Sequence, residues 1–551
     1  MTITRRSFLK RTAGALGLAA FSGLAPRQAT AAKPDRPNIL LIMADDMGYS
    51  DAECYGGDVR TPSLSALAAD GLRFTQHYST GRCWPSRACI LTGHYAQHIR
   101  RDKMPGVKLG NRPPWAPLLT EALKPVGYSC YHSGKWHIDG DPLKNGFDRS
   151  WGGHRTGCDW DRFFNSKPWT EDGISAPVKP GEDYYSTVAI ADHTIQCLKL
   201  HQRDHADKPF FQYTAFYSPH FPLQAMQKDI DLYRDAYLKG WDVIRRQRWK
   251  RMKNMGLIDT ALSDRDTDTV PGWNLKPDEL RKRIGPGEVA RAVAWDTLTD
   301  RQKKFQATKM AIHAAMITRM DLEIGRIVKQ LKQMGAFENT LILFASDNGA
   351  SAEQIIRGDG HDPNAPMGSA TSYLCLGPGF STAANTPFRL HKHWNHEGGI
   401  SSPLIVHWPA AISARGELRH NPSHFIDIAP TILDAAGAHW PKTAAGAPAP
   451  PRPGRTLLPA FARDGAVKHD HLWWCHAGNR AIRIGDWKLV SEGGDKARWE
   501  LYDLKTDRCE MNDLAAEYPD RVEQMAQRWQ QVADRFRRDL QEKPAPRQAR
   551  L

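Results

Sequence analysis

Two apolar runs in this chain end in acidic residues, and that pairing narrows the folds open to it. Ile39-Leu40-Leu41-Ile42-Met43-Ala44 leads into Asp45-Asp46, and Thr340 to Ala345 leads into Ser346-Asp347-Asn348-Gly349. Aliphatic runs without polar alternation suit strands covered on both faces, as in a parallel sheet layered by helices. Phe210 to Phe216 and Leu404-Ile405-Val406 have the same character. Met316, Met320, Ile324, Ile327 and Leu331 step by three and four onto one helical face, and Gly335 stops that helix. The pattern predicts an α/β fold with a large, central, mostly parallel sheet flanked by helices. Ligands of such sheets sit beyond the carboxyl ends of the strands, so both acidic ends can converge there. Asp45, Asp46 and Asp347 with the amide oxygen of Asn348 form a hard, all-oxygen set that favours Ca²⁺, then Mg²⁺, over zinc. Taken singly, each motif also reads as a turn or a cap.

The chain has 551 residues, enough for a large domain and a smaller one. Its N-terminus reads as an address. Arg5-Arg6-Ser7-Phe8-Leu9-Lys10 precedes a weakly apolar run, Ala13 to Ala25, and Ala29-Thr30-Ala31 supplies small residues for cleavage. This resembles a twin-arginine export signal over residues 1–31, which implies the export machinery as a partner and a periplasmic or secreted bacterial protein. The run between Arg11 and Arg27 is too short and too rich in Ala and Gly to span a bilayer, so no stable membrane insertion is expected. Removing residues 1–31 takes the formal charge from +14 to +9. A basic exported protein suits a polyanionic partner. Nucleic acid is not expected, because no helix-turn-helix, zinc-finger or RNP-like pattern is present. The run Arg245 to Arg251 reads as a solvated helical face or a rim that attracts anionic glycan. Nine cysteines lack any C-x-x-C pair; an oxidising compartment could pair some, and Cys83 is the candidate for a different role.

The main domain is expected over residues 37–440, with 222–305 as a polar, proline-broken insertion. Residues 441–465 read as an Ala/Pro-rich linker. Beyond it, 466–542 form a C-terminal α+β subdomain: four short antiparallel strands from His471 to Leu504, then an amphipathic helix from about Pro519 to Leu540.

The segment Gly81-Arg82-Cys83-Trp84-Pro85-Ser86-Arg87-Ala88-Cys89-Ile90-Leu91-Thr92-Gly93 carries the most specific pattern. Its Cys-x-Pro-Ser-Arg core followed by Leu-Thr-Gly resembles the signature of the type I sulfatases of the alkaline phosphatase superfamily. The resemblance runs from about Pro37 to Pro409 and resumes at Asn479 to Leu489 and Glu500 to Leu504. Trp84 departs from it, standing where family members usually carry a small residue. The resemblance implies an alkaline-phosphatase-like fold and hydrolysis of a sulfated carbohydrate or other organic sulfate. It also implies that Cys83 is oxidised to Cα-formylglycine by a maturation enzyme. A formylglycine hydrate carries two hydroxyls on one carbon: one attacks sulfur, and the other expels sulfate. The metal set then includes Cys83 beside Asp45, Asp46, Asp347 and Asn348.

By the same resemblance Arg87 stabilises the modified residue, Lys135 and Lys392 bind sulfate oxygens, His137 meets the formylglycine hydroxyl and His220 the leaving oxygen. Preplaced ammonium and imidazolium groups would favour the transition state. His396, His476 and Asn479 are candidates for lining the substrate pocket. Two alternatives remain at this point: a phosphonate monoester or phosphodiester hydrolase of the same superfamily, and a non-catalytic protein that binds sulfated glycan.

Overall fold

The computed structural model describes residues 36–541 except 154–161, 164–168, 180, 182, 358–359, 442, 445–446 and 495. The export segment 1–31, Cys158 and the tail beyond 541 lie outside the described residues.

Strand β1 (Asn38–Asp45) is the first apolar run, and its side chains alternate between two cores. Leu40, Ile42 and Ala44 point into one, while Ile39, Leu41 and Met43 point into the other, all fully buried. An uninterrupted apolar run is what such a doubly covered strand requires. The remaining strands of the main sheet, in chain order, are β2 (Leu72–Tyr78), β3 (Ser129–Gly134), β4 (Arg149–Gly152), β5 (Thr170–Glu171), β6 (Ile174–Ser175), β7 (Phe210–Pro219), β8 (Thr340–Ser346), β9 (Ser401–His407), β10 (Glu417–Arg419) and β11 (Ser423–His424). Their order is β10-β2-β9-β8-β1-β7-β3-β4-β5-β6, with β11 also on β2. The centre, β8-β1-β7-β3-β4, is parallel, whereas β9 runs antiparallel to both its neighbours.

One core packs the helices Pro62–Ala69, Ser186–Asp204 and Asp300–Gln333 on the sheet; the other packs Cys83–Thr92, Leu119–Leu123 and Ile428–Ala436. The long helix starts where Thr299 and Gln302 satisfy each other's backbone N–H, and it ends before Gly335, which takes a left-handed φ of 65°.

Three expectations change. Segment 222–305 is built into the domain, since Trp241, Ile244, Met252, Leu280 and Ile284 complete the first core. The basic run within it is only partly a solvated face: Arg246 and Lys250 are exposed, but Arg248 is fully buried, 2.8 Å from Asp51 and 2.7 Å from Asp58, and Arg245 is buried against Ser263. A guanidinium withdrawn from water needs such partners, and helical spacing alone does not reveal them. In the 441–465 stretch, the helix Leu458–Ala462 buries Ala460 and Phe461, next to the buried Leu457, in the second core. The eight described cysteines are all buried, and no two of them are joined in a disulfide.

The C-terminal strands Leu472–His476, Asn479–Ile484, Trp487–Ser491 and Glu500–Asp503 form a consecutive antiparallel sheet, followed by the helix Pro519–Gln541. The helix buries Met525, Trp529, Val532 and Phe536, the stripe its periodicity predicts. No helix among the described residues is long and apolar enough to cross a membrane.

Candidate active site

Strand register brings the chemical residues to one edge. Ala44 pairs with Ser346, Asp45 with Pro219 and Gly134 with Ala215, so β1, β8, β7 and β3 end at the same level. Asp45-Asp46, Asp347-Asn348, His220 and Lys135-Trp136-His137 all emerge there. Gly134 makes the last of these turns available: its φ is 105°, and a Cβ would lie 2.1 Å from the Ala215 carbonyl oxygen. That carbonyl instead accepts the Lys135 N–H at 2.8 Å. Asp46 and His137 hold left-handed φ angles of 64° and 56°, backbone strain of the kind that clusters at functional sites.

Cys83 is the first residue of the helix Cys83–Thr92 and is 3 % exposed. Burial pushes its thiol above the ordinary range against the pull of Lys135 and Lys392, so as a plain cysteine it is a weak nucleophile. One turn on, the fully buried Arg87 donates Nε and Nη2 to Asp347 Oδ2 at 3.0 and 2.7 Å, and Nη1 to the Lys135 carbonyl at 3.1 Å. Lys135 Nζ is 2.5 Å from Asp45 Oδ2, and Lys392 Nζ is 2.8 Å from Asp46. Burial alone would raise Asp45, yet Lys135, Arg87 and Lys392 hold it below the usual carboxylate range. Asp46 is raised by burial despite Lys392, and Asp347 is pushed up to about 7 by burial and the Asp45 charge. Even with Arg87, Lys135 and Lys392 beside them, burial and mutual repulsion keep two of these three carboxylates above the usual range.

The donors fit a hard cation. Asp45 Oδ1 and Asn348 Oδ1 are buried acceptors with no hydrogen-bond donor among the described residues, and Asn348 Nδ2 is turned away to Asp46 Oδ1 at 2.7 Å. Ligand atoms of Asp45, Cys83 and Asp347 lie within 4.8 Å of one another, as do those of Asp45, Asp46 and His220. Orphaned oxygens in a carboxylate cluster match the all-oxygen chemistry of Ca²⁺ or Mg²⁺. His220 stands closer to this cluster than the sequence suggests, with Nε2 3.5 Å from Asp46 Oδ2.

Both site histidines are neutral in the resting protein, where the sequence suggested imidazolium. Burial lowers His137 well below its usual range, with Lys135, Arg87 and Lys392 adding to the effect. Burial with Lys392 and Lys135 does the same to His220. His220 Nδ1–H donates to the Phe221 carbonyl at 2.6 Å, which leaves Nε2 as the acceptor that faces the cluster.

The three pocket candidates divide. His476 lies beside the cluster: its ring is 5.4 Å from Trp84, which is 5.7 Å from His137, and its Nδ1 bonds Asp102 at 2.8 Å. Asn479 Nδ2 donates to the His393 carbonyl at 3.0 Å. His396 instead turns to the C-terminal sheet, with Nε2 3.3 Å from Glu500. Sequence reasoning missed Ser86, whose Oγ donates to the Asp347 carbonyl at 2.6 Å, although it lies inside the quoted motif. It also missed Asp102 and Glu353, which carry no local pattern and reach the site only through the fold.

A mostly parallel sheet thus gathers a buried cysteine, lysines, histidines and carboxylates at one carboxyl edge, a set whose chemistry suits an anionic ester group beside a hard cation. The Sulfatase family profile matches residues 37–438, and the chain belongs to that family. A second profile, N-sulphoglucosamine sulphohydrolase, C-terminal, matches residues 388–537. The chain is 30 % identical to an arylsulfatase of Klebsiella aerogenes over 80 % of this chain and 95 % of the relative. It is 28 % identical to an N-acetylglucosamine-6-O-sulfatase of Bacteroides thetaiotaomicron over 91 % and 87 %. Among solved structures, Ps i-CgsB in complex with k-i-k-neocarrahexaose superposes with a TM-score of 0.64 at 22 % identity, covering 93 % of this chain and 94 % of that one. A phosphonate monoester hydrolase from Silicibacter pomeroyi shares the fold at a TM-score of 0.56 and 20 % identity, over 92 % and 96 %. The protein is a sulfatase of the alkaline-phosphatase-like class.

Proposed function

We propose that this sulfatase releases inorganic sulfate from a sulfated carbohydrate, with aryl sulfates as accessible model substrates, through a formylglycine made from Cys83. The observation that carries the reading is the place of Cys83: it is buried at the first position of its helix, its ligand atom is grouped with those of Asp45 and Asp347, and it lies beside orphaned metal-type oxygens, where burial raises the thiol and disfavours the thiolate. Oxidised and hydrated, residue 83 supplies a geminal diol with one hydroxyl to attack sulfur and one to expel sulfate. Asp45, Asp46, Asp347 and Asn348 would hold the cation beside residue 83, Ca²⁺ before Mg²⁺; bound there, it supplies positive charge that activates an oxygen nucleophile. Arg87 keeps Asp347 in place. Lys135 and Lys392 bind sulfate oxygens and take up the charge that develops on them.

The proton steps belong to the histidines. His220 Nε2 protonates the leaving oxygen, and His137 accepts the proton of the expelling hydroxyl. His220 starts neutral, so Nε2 takes its proton from solvent as substrate binds, when the substrate's negative charge offsets the Lys135 and Lys392 fields that lower the ring. His476 and Asn479 line the leaving-group side. The carbohydrate assignment draws on the glycan-acting relative and on the basic charge of the chain. A formylglycine-generating enzyme and the twin-arginine machinery act before catalysis, and the working compartment is periplasmic or extracellular.

The test is peptide mass spectrometry of active enzyme, with turnover of defined sulfated saccharides and nitrophenyl sulfate. Formylglycine at position 83 and sulfate release are expected; fully active enzyme with only cysteine there would overturn the mechanism. The shared fold keeps phosphodiester hydrolysis as the second reading. A higher kcat/KM for an aryl phosphodiester than for every sulfate ester would favour it.

A further inference from the structure

Glu353 lies in the loop after β8, outside every motif, yet it is only 2 % exposed. Its carboxylate accepts from Arg82 Nη2 at 3.2 Å, Trp273 Nε1 at 2.9 Å and Ser351 Oγ at 3.1 Å, and it is 3.5 Å from Lys392 Nζ. Four cations, Arg82, Arg87, Lys135 and Lys392, thus face four carboxylates, Asp45, Asp46, Asp347 and Glu353. The three aspartates belong to the candidate cation set. Glu353 does not: its carboxylate faces Arg82 and Lys392. Burial alone would raise it, but Arg82 and Lys392 hold it far below the ordinary carboxylate range, so it is a fixed negative charge.

We propose that Glu353 is the charge-selecting residue of the site, tuning its anion pocket for singly charged esters and against doubly charged ones. This rests on the reading that Lys392 binds the transferred group. An anion oxygen in hydrogen-bond contact with Lys392 Nζ, at about 2.9 Å, lies no farther than roughly 6 Å from the Glu353 carboxylate, given the 3.5 Å between the two side chains. Each additional negative charge on the bound group is then disfavoured by a factor on the order of ten to a hundred at the effective dielectric of a protein site. A sulfate monoester and a phosphodiester each bring one charge and a phosphate monoester above neutral pH brings two, so Glu353 separates the third from the first two. Tetrahedral shape, common to all three, cannot.

The experiment compares kcat/KM of the metal-loaded enzyme and of Glu353→Gln and Glu353→Asp at pH 8. The substrates are nitrophenyl sulfate, bis-nitrophenyl phosphate and nitrophenyl phosphate. Glu353→Gln should raise the phosphate-monoester to sulfate ratio by ten- to a hundredfold and leave the diester to sulfate ratio unchanged; Glu353→Asp should keep both ratios native. Parallel loss on all three substrates would mean that Glu353 only positions Lys392 and Arg82, and would overturn the proposal. So would a diester that moves with the monoester. The same shift is read without turnover from the Kd of methylphosphonate, doubly charged at pH 9, against methanesulfonate, and an unchanged Kd ratio overturns it equally. A parent enzyme that prefers the diester would refute the sulfatase reading of the substrate while leaving the Glu353 ratio intact.

Discussion

Replacing Lys488 by Met should loosen the C-terminal sheet from the catalytic core. Lys488 is fully buried, with Nζ 2.9 Å from Glu397 and 2.7 Å from Glu510. Glu397 also accepts from Arg508 Nε at 3.0 Å, Tyr78 OH at 3.0 Å and Ser401 Oγ at 3.1 Å, so the cluster joins the sheet to the segments on either side of it. Methionine retains the stem and removes the charge. Glu397 keeps Arg508, whereas Glu510 loses the one cation within ion-pair distance of its carboxylate among the described residues. Breaking a buried pair by removing one partner costs about 3–5 kcal/mol, because the other charge stays desolvated. At about 1.4 kcal/mol per decade, even the lower figure raises the population of a detached sheet at least a hundredfold. Hydrogen exchange of the amides in Leu472–His476 and Asn479–Ile484, measured where reclosing outpaces exchange, should speed up by that factor. The double variant Lys488→Met/Glu510→Gln should recover part of the loss, since it removes the stranded charge. Native protection of both strands in folded Lys488→Met would refute the argument that this cluster carries the attachment. The effect should reach activity as well. Glu397 opens the short helix Glu397–Ile400, whose Gly399 carbonyl accepts the N–H of Gly349 next to Asn348, and a Cβ on Gly349 would lie 1.9 Å from the Gly398 carbonyl oxygen.

The same cluster sets an acid limit. Burial would raise Glu397, but Lys488, Arg508 and Arg483 hold it down to about 2 against an ordinary 4.5. The unfolded chain therefore takes up the proton first. This contribution is complete above pH 4.5 and is lost as pH falls toward 2, so denaturant midpoints should drop through that window and drop less in Lys488→Met. Chelation should lower both activity and melting temperature, with Ca²⁺ restoring them, because a cation that binds only the native state stabilises it by mass action. Elemental analysis finding stoichiometric zinc and no alkaline-earth metal would contradict the ligand argument. His220→Ala should impair a sulfated sugar far more than nitrophenyl sulfate in single-turnover rates, since an acidic phenol leaves without a proton, while His137→Ala should slow turnover of both. Equal losses across leaving groups for His220→Ala would mean that another group is the acid.

Much of the fold was legible because its determinants are local. The aliphatic runs at 39–44 and 340–345 mark strands covered on both faces, the three- and four-residue steps from Met316 to Leu331 and the stripe from Val522 to Phe536 state a helical period, and the backbone follows both. The segments misread, 441–465 as a linker and part of Arg245 to Arg251 as a solvated face, hold short apolar pieces or charges whose partners lie far away in the chain. Arg248 meets Asp51 across almost two hundred residues. No window of sequence contains that pair.

The sequence by itself determined the kinds of chemistry at hand: the acidic strand ends, the Cys83 motif and the lysine and histidine turns, each short enough to be read from neighbouring residues. Tertiary structure alone decided their electrical state and their neighbours. Burial lowers His137 and His220 well below the usual histidine range and raises the Cys83 thiol, and register brings Asp45 level with Pro219, beside His220. His396 is carried to Glu500 while His476 is brought beside Trp84. Glu353, silent in the sequence, becomes the fourth carboxylate of the site. The physical reason is that charge state and partner choice depend on desolvation and on distances between remote segments, which exist only once the sheet has closed its layers.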